Sequence, residues 1–365
     1  MDERIRRHAE ILVDHCTEIG PEDNVLIKAP TPAEDLVVAL YEQLGKRGAR
    51  PQTSWINQRA GRAYARQMDV EDFRVKDHGL AAMHETDAVV LIGGSTNATE
   101  TSDVDPEKSA ASSRANQPIL DERLEKRWVI TQHPTPADAQ QAETSTDAWT
   151  DFVYDAINRD WEAQREFQAQ LVEILDDAES VRIRSGETTD IRMSIAGMDV
   201  RNDYGQRNMP GGEVFTSPVV DSVEGEVTFD LPAMRQGREI QGAHLVFEAG
   251  AVVEHGAEKN EAVLTSLLDT DAGARRLGEL GIGMNRAIDR FSKNMLFDEK
   301  MGDTIHLALG KAIEECVPEE RTFNDSATHF DMLVDMSEDS SIEVDGDAIQ
   351  RDGTFRFEDG FESGR

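Results

Sequence analysis

Residues Ala88-Val89-Val90-Leu91-Ile92 make an unbroken apolar run that stops at Gly93-Gly94. A short β-branched run with no polar alternation fits a strand buried on both faces. Strands of that kind need helices on either side, which narrows the first half of the chain to an α/β layer arrangement. The neighbouring segments supply the layers. Residues 3–16 place Ile5, Ala9, Leu12, Val13 and Cys16 at helical spacing, and residues 33–47 form a second amphipathic stretch closed by Gly48. Val25-Leu26-Ile27, Gln52–Ile56 and Trp128-Val129-Ile130 repeat the short-strand pattern. The expectation is an open, mostly parallel sheet with helices around it.

Leu91-Ile92-Gly93-Gly94-Ser95-Thr96 lacks both the G-x-G-x-x-G fingerprint and the P-loop lysine, so it reads as a strand-end turn and not a nucleotide loop. Residues 99–120 read as an exposed helix and loop. His133, before Pro134, lies at a strand end, where a turn role and a place beside a cleft are both open. Residues 147–177 form one or two long helices, with Trp149, Phe152, Ile157, Phe167, Leu171 and Ile174 on their apolar faces. Strand signals then multiply at Val181–Arg184, Ile191–Ile195, Val227–Phe229, Leu245–Phe247 and Val252–Val253, with helices expected at about 259–269 and 271–280. The chain of 365 residues is long enough for two domains. They are placed at 1–180, an α/β domain with a mostly parallel sheet, and 181–365, an α+β domain. The polar segment Asp345–Arg365 reads as a terminal hairpin or frayed tail.

Charge excludes some partners. The formal net charge is −34, from 38 Lys and Arg against 72 Asp and Glu, and the acids are spread along the whole chain. Such a surface has no use for phosphate, so a nucleic-acid partner is excluded. It is similar to the surfaces of proteins from salt-loving organisms: at molar salt the Debye length falls to about 3 Å and self-repulsion is screened. No apolar run approaches the eighteen or so residues that cross a membrane, and none at the N-terminus fits a secretory signal. With Cys16 and Cys316 as the only cysteines, a cytoplasmic protein with reduced thiols is expected.

The chemistry-bearing residues gather late. In His329-Phe330-Asp331 a strand would aim the histidine and the aspartate at one point and Phe330 at the opposite, apolar side. In Thr304-Ile305-His306-Leu307-Ala308-Leu309, His306 shares a face with Thr304 and Ala308. Glu279 is read as the end of a helix just before Gly281 and Gly283, and Glu213 follows the Pro210-Gly211-Gly212 turn ahead of Val214-Phe215. Carboxylate and neutral imidazole suit divalent metals without any thiolate. Each residue also has a plainer reading, as a packed strand histidine or a solvated surface acid. By spacing alone a metal site and a structural role stay equally open, because no fixed-interval motif such as H-E-x-x-H occurs.

The ordered stretches GGEVFTSP (211–218), GELGIGMN (278–285), FDEKMGDTIHLALG (297–310) and NDSATHFDMLV (324–334) resemble the M29 family of metallo-aminopeptidases. The likeness is dense from about 205 to 335 and diffuse before. It implies two divalent ions (zinc, cobalt, manganese or magnesium) in the C-terminal domain, a homodimer, and removal of N-terminal residues from peptide substrates. Carried across, the expected metal ligands are Glu213, Glu279, His306, His329 and Asp331, with Glu213 and Glu279 also catalytic. Glu299 is a further ligand or supporting group, or else a partner of Lys300 or Lys293. This sequence has Ile313 where family members usually carry a tyrosine, and its loop between His306 and His329 looks short. Two other readings therefore remain open. His306, His329 and Asp331 match the set used by mononuclear Fe(II) oxygenases, here of a ring-cleaving kind; alternatively, the ions only hold an inactive relative together.

Overall fold

In the computed structural model, which describes residues 1–235 and 238–362, the strand predicted at Ala88 runs from Ala88 to Gly93 at the middle of a five-stranded sheet. The sheet order is Arg50–Ile56, Asn24–Pro30, Ala88–Gly93, Arg127–Gln132 and Asn208–Met209, with every pair parallel. Val25, Ile27, Ala29, Val89, Val90 and Val129 are buried in it, as both-face burial requires. Helix Glu34–Arg47 packs alongside with acids in its first turn and Lys46 and Arg47 in its last, and stops at Gly48, whose φ of 73° closes it. The first helix runs from Glu3 to Ile11 and finishes in a wider π-type turn over Leu12–Cys16. The 99–120 region holds the helix Pro106–Leu124, on which Ala111 is the buried residue. His133 stands in the turn after Arg127–Gln132, its N–H bonded to the Gly93 carbonyl.

The chain divides into two compact units, Met1–Arg159 with Gly205–Gly211, and Asp160–Tyr204 with Gly212–Arg365. The division thus falls at Asp160, ahead of the expected residue 180. Residues 147–177 are two helices, Thr146–Ile157 and Trp161–Leu175, and Asp160 caps the second by accepting from the N–H groups of Glu162 and Ala163. That second helix buries Leu171 and Leu175 in the core of the later unit. Its buried Gln168 donates to the carbonyls of Asp203 and Glu213. An amphipathic helix shows its apolar face in sequence but not which core receives it.

The second unit is largely antiparallel sheet. Eight strands run in the order 251–256, 243–248, 224–229, 189–194, 180–185, 340–344, 347–351, 354–355. Five more run His329–Asp335, Thr304–Gly310, Leu277–Gly283, Glu213–Thr216, Arg201–Asp203, all antiparallel. Leu280, Ile282, Ile305, Leu307, Leu309, Phe330, Met332 and Val334 share one apolar core with Ile183, Ile191, Val227 and Leu245. The C-terminal segment is a hairpin that turns at Asp345-Gly346 and buries Phe355; its last three positions, 363–365, lie outside the described residues.

One expected element is overturned. The helix at 259–269 is present as Glu261–Leu268, but no helix covers 271–280. A single tight turn, Gly273–Arg275, leads directly into the strand Leu277–Gly283, all seven residues buried. Glu279 therefore sits inside a central strand and not at a helix end. Gly278, Gly281 and Gly283 explain the misreading: they weaken the alternation that marks a strand, and they are equally poor in a helix interior.

Among the described residues no helix is long and apolar enough to cross a membrane. Cys16 and Cys316 are not joined in a disulfide.

Candidate metal centre

The five-stranded antiparallel sheet carries the chemistry on its non-core face. Its register sets Glu279 and Asp331 on either side of Ala308, and Gly281 beside His306. Alternation then places His306, Glu279, His329 and Asp331 on one face, while Ile305, Leu307, Phe330 and Met332 enter the core. Two glycines make room. A Cβ on Gly281 would meet His306 Cε1 at 1.9 Å, so the imidazole lies where a side chain would otherwise stand. Gly212, with φ of 121°, lets the chain pass against Asn285 and deliver Glu213 to the edge of the same face.

Glu213 is opposite Gly283 and is 5 % exposed; Glu279 is 6 % and His306 1 %. The side chain of His329 is 31 % exposed and that of Asp331 17 %, so solvent reaches the cluster from their side. His306 Nε2 lies 3.4 Å from Glu213 Oε2 and 3.5 Å from Glu279 Oε1. His329 Nε2 lies 3.1 Å from Glu279 Oε2 and 3.4 Å from Asp331 Oδ1. Glu279 thus faces one histidine with each of its oxygens. Ligand atoms of Glu279, His306 and Asp331 all fall within 4.8 Å of one another.

The histidine tautomers follow from the other ring nitrogens. His306 Nδ1 is 3.2 Å from the Glu299 carbonyl, and His329 Nδ1 is 2.8 Å from the Lys311 carbonyl. A carbonyl only accepts, so each Nδ1 donates, and each Nε2 is turned toward the carboxylates. Each of these close Nε2–carboxylate contacts takes either a proton on Nε2 or a metal cation between the two atoms. With metal–ligand bonds of about 2.0–2.2 Å, neighbouring donors of a tetrahedral site stand about 3.4 Å apart, close to the spacings here. Glu213 Oε2 is moreover buried without a hydrogen-bond partner. The donor set fits divalent metal on chemistry and on spacing.

The electrostatics report the same demand. Burial disfavours a charged imidazole at His306, yet its hydrogen bond with Glu279 and the charges of Glu213, Glu279 and Asp331 hold its pKa well above the ordinary range. His329 is raised likewise against its burial by Asp331 and Glu279. Burial pushes Glu213 up to about 8 in spite of Lys300 and His306. Burial also works to raise Glu279, but the hydrogen bonds from His306 and His329 outweigh it and bring that carboxyl down to about 2. Positive charge is what this face draws in.

Glu213, Glu279, His306, His329 and Asp331 therefore stand together. Glu299 takes a different position: its carboxylate is bonded to Lys300 Nζ and its carbonyl holds His306. Two contacts escaped the sequence reading, which named Lys300 only as a partner of Glu299, a pairing the structure has. Lys300 is fully buried with Nζ 3.1 Å from Glu213 Oε1, and Asp203 Oδ2 lies 3.9 Å from the same ammonium. The only hint was a lysine set between buried Phe297 and the buried strand at Thr304. Ile313 follows the Thr304–Gly310 strand, and its N–H donates to Ser217 Oγ.

A sheet face bearing imidazole and carboxylate fits a metal-dependent enzyme, and the comparisons give the family. The chain belongs to the M29 family of thermophilic metalloproteases, whose family model matches residues 1–360. It is thereby placed among hydrolases that act on peptide bonds. It is 27 % identical over 405 residues to Aminopeptidase 2 of Geobacillus stearothermophilus, covering 96 % of this chain and 95 % of that one. It is 39 % identical over 161 residues to Aminopeptidase T of Thermus aquaticus, 40 % of this chain and 37 % of that protein. Among solved structures, wild-type AmpT from Thermus thermophilus superposes with a TM-score of 0.86 at 25 % identity, covering 97 % of this chain and 99 % of that one. A 2,5-dihydroxypridine dioxygenase from Pseudomonas putida KT2440 shares the fold, with a TM-score of 0.60 at 15 % identity over 98 % of this chain and 97 % of that one.

Proposed function

We propose that this chain is a metal-dependent aminopeptidase that releases N-terminal residues from peptides at the centre built by Glu213, Glu279, His306, His329 and Asp331. The observation that carries the reading is the division of Glu279, one oxygen toward His306 and the other toward His329. A carboxylate so placed would be open to more than one ion, and Glu213, Glu279, His306, His329 and Asp331 would hold the divalent metal between them. Charge agrees. Asp203, Glu213, Glu279, Glu299 and Asp331 against Lys300 leave four negative charges, which two divalent ions offset.

When bound, such ions activate water as hydroxide at neutral pH and polarise a carbonyl. The protein's own groups do the rest. The Glu299 and Lys311 carbonyls orient the two imidazoles, and enclosure of Glu213, Glu279 and His306 keeps bulk water from that side. The partly exposed His329–Asp331 side is the approach for substrate, and the acidic surroundings favour a free α-ammonium group over a blocked terminus. The oxygenase alternative uses His306, His329 and Asp331 but gives Glu213 no part, and the dioxygenase likeness is one of fold alone. A homodimer and a cytoplasmic setting belong to the same proposal and rest on the family resemblance.

The test is a panel of amino-acid arylamides, free and N-acetylated, in molar salt with Co²⁺, Zn²⁺ or Mn²⁺ restored to chelated protein. Hydrolysis confined to free amines and dependent on metal supports the reading; turnover that survives chelation contradicts it.

A further inference from the structure

Lys300 is a buried charge to which peptide hydrolysis assigns no part. Its side chain is 0 % exposed. Burying an ammonium is costly unless it is fully paired, and a purely structural pair with the adjacent Glu299 would suffice for that. Lys300 reaches further. Its Nζ is bonded to Glu299 Oε1, lies 3.1 Å from Glu213 Oε1 and stands 3.9 Å from Asp203 Oδ2. The two oxygens of Glu213 are thereby divided: Oε1 faces the ammonium, and Oε2, without a hydrogen-bond partner, faces His306 Nε2 at 3.4 Å.

The backbone fixes both ends of this link. The Lys300 N–H donates to the Phe297 carbonyl, and the Lys300 carbonyl accepts from the N–H of Asn285. Asn285 in turn packs against Gly212, where a Cβ would meet Asn285 Cβ at 2.5 Å, and Gly212 directly precedes Glu213. Neither Lys300 nor Glu213 can shift without moving the other's support.

We propose that Lys300 is a positioning residue of the metal centre. Its ammonium takes Glu213 Oε1 and Glu299 as counter-ions, so that Glu213 offers a single oxygen to an ion at His306 and Glu299 offers none. This inference rests on the metal reading above and deepens it: the centre has a permanent organic cation beside its metal positions, and Glu299 belongs to that cation.

The test is calorimetric titration of full-length, chelator-stripped protein with Mn²⁺ in molar salt. Wild type takes two equivalents. Lys300→Met keeps one equivalent and binds the other about 10- to 100-fold more weakly, the usual cost of losing a group that holds a ligand. Glu299→Gln takes both equivalents within about twofold of wild type, as a residue outside the ligand set should. If Lys300→Met fails to fold, because three carboxylates lose their cation, the double variant Lys300→Met/Glu299→Gln removes a negative charge with the positive one and should show the same selective loss. Both equivalents held at wild-type affinity in either lysine variant would overturn the role. So would loss of an equivalent in Glu299→Gln, since that makes Glu299 a ligand. A wild-type chain that takes no divalent ion would withdraw the metal centre itself, and the role of Lys300 with it.

Discussion

The imidazole of His306 occupies the space above Gly281, so close that a Cβ on the glycine would stand 1.9 Å from the ring. The two residues are register partners on neighbouring central strands, and the ring is held from its other side by the Glu299 carbonyl. Gly281→Ala must therefore displace His306 from the cluster while changing the strand little elsewhere. A loss of about 100-fold in kcat/KM is expected, with weakened metal affinity and near-wild-type circular dichroism, since a displacement of about 1 Å is enough for such a loss. Wild-type turnover by this variant would show that the ring's position does not matter.

Glu279 is the residue both histidines address. Glu279→Gln keeps the shape but removes the charge and one acceptor, and should lower metal-dependent arylamide hydrolysis by about 10³-fold or more together with the metal content. His306→Ala should do the same. Full activity in either variant would remove that residue from the site.

His8 gives a prediction independent of the metal. It is wholly buried against Thr131 Oγ1 at 2.8 Å, and burial brings its pKa down to about 3. The unfolded chain takes a proton at His8 below its ordinary value of 6.5, and the folded chain does not until about 3. The unfolded state therefore binds more protons between those values, and stability falls as pH drops through that window. By pH 4.5 the loss amounts to about 3 kcal/mol. His8→Leu should flatten the dependence of unfolding free energy on pH between 7 and 4.5 by roughly that amount, measured by denaturant titration at each pH. Parallel curves for the two proteins would refute it.

The net charge of −34 predicts the direction of the salt response. Raising KCl from about 0.1 M to 2 M shortens the Debye length from about 10 Å to below 3 Å and relieves repulsion among the acids. Tm should rise by several degrees, followed by scanning calorimetry; an unchanged or lower Tm would mean that self-repulsion does not limit this fold.

Much of this was legible in sequence because the signals were local. Ala88–Gly93 announces itself by continuous β-branched burial. The pairing of His329 with Asp331, and of His306 with Thr304 and Ala308, needs only the two-residue repeat of a strand. Leu277–Gly283 was misread because its outward face is Gly281, Gly283 and one acid, chosen to accommodate a ring from the next strand, and nothing local records that neighbour. The partition at Asp160 was hidden for a similar reason: the apolar face of Trp161–Leu175 suits either core. Lys300 was legible only as a partner of Glu299; its link to Glu213, 87 residues earlier in the chain, was not.

The shared centre is tested most directly by counting metal. After reconstitution with Co²⁺, desalting in molar salt and elemental analysis, two equivalents per chain are expected, with arylamide hydrolysis rising in step with occupancy. Full hydrolytic activity in chains that hold no divalent ion would contradict it.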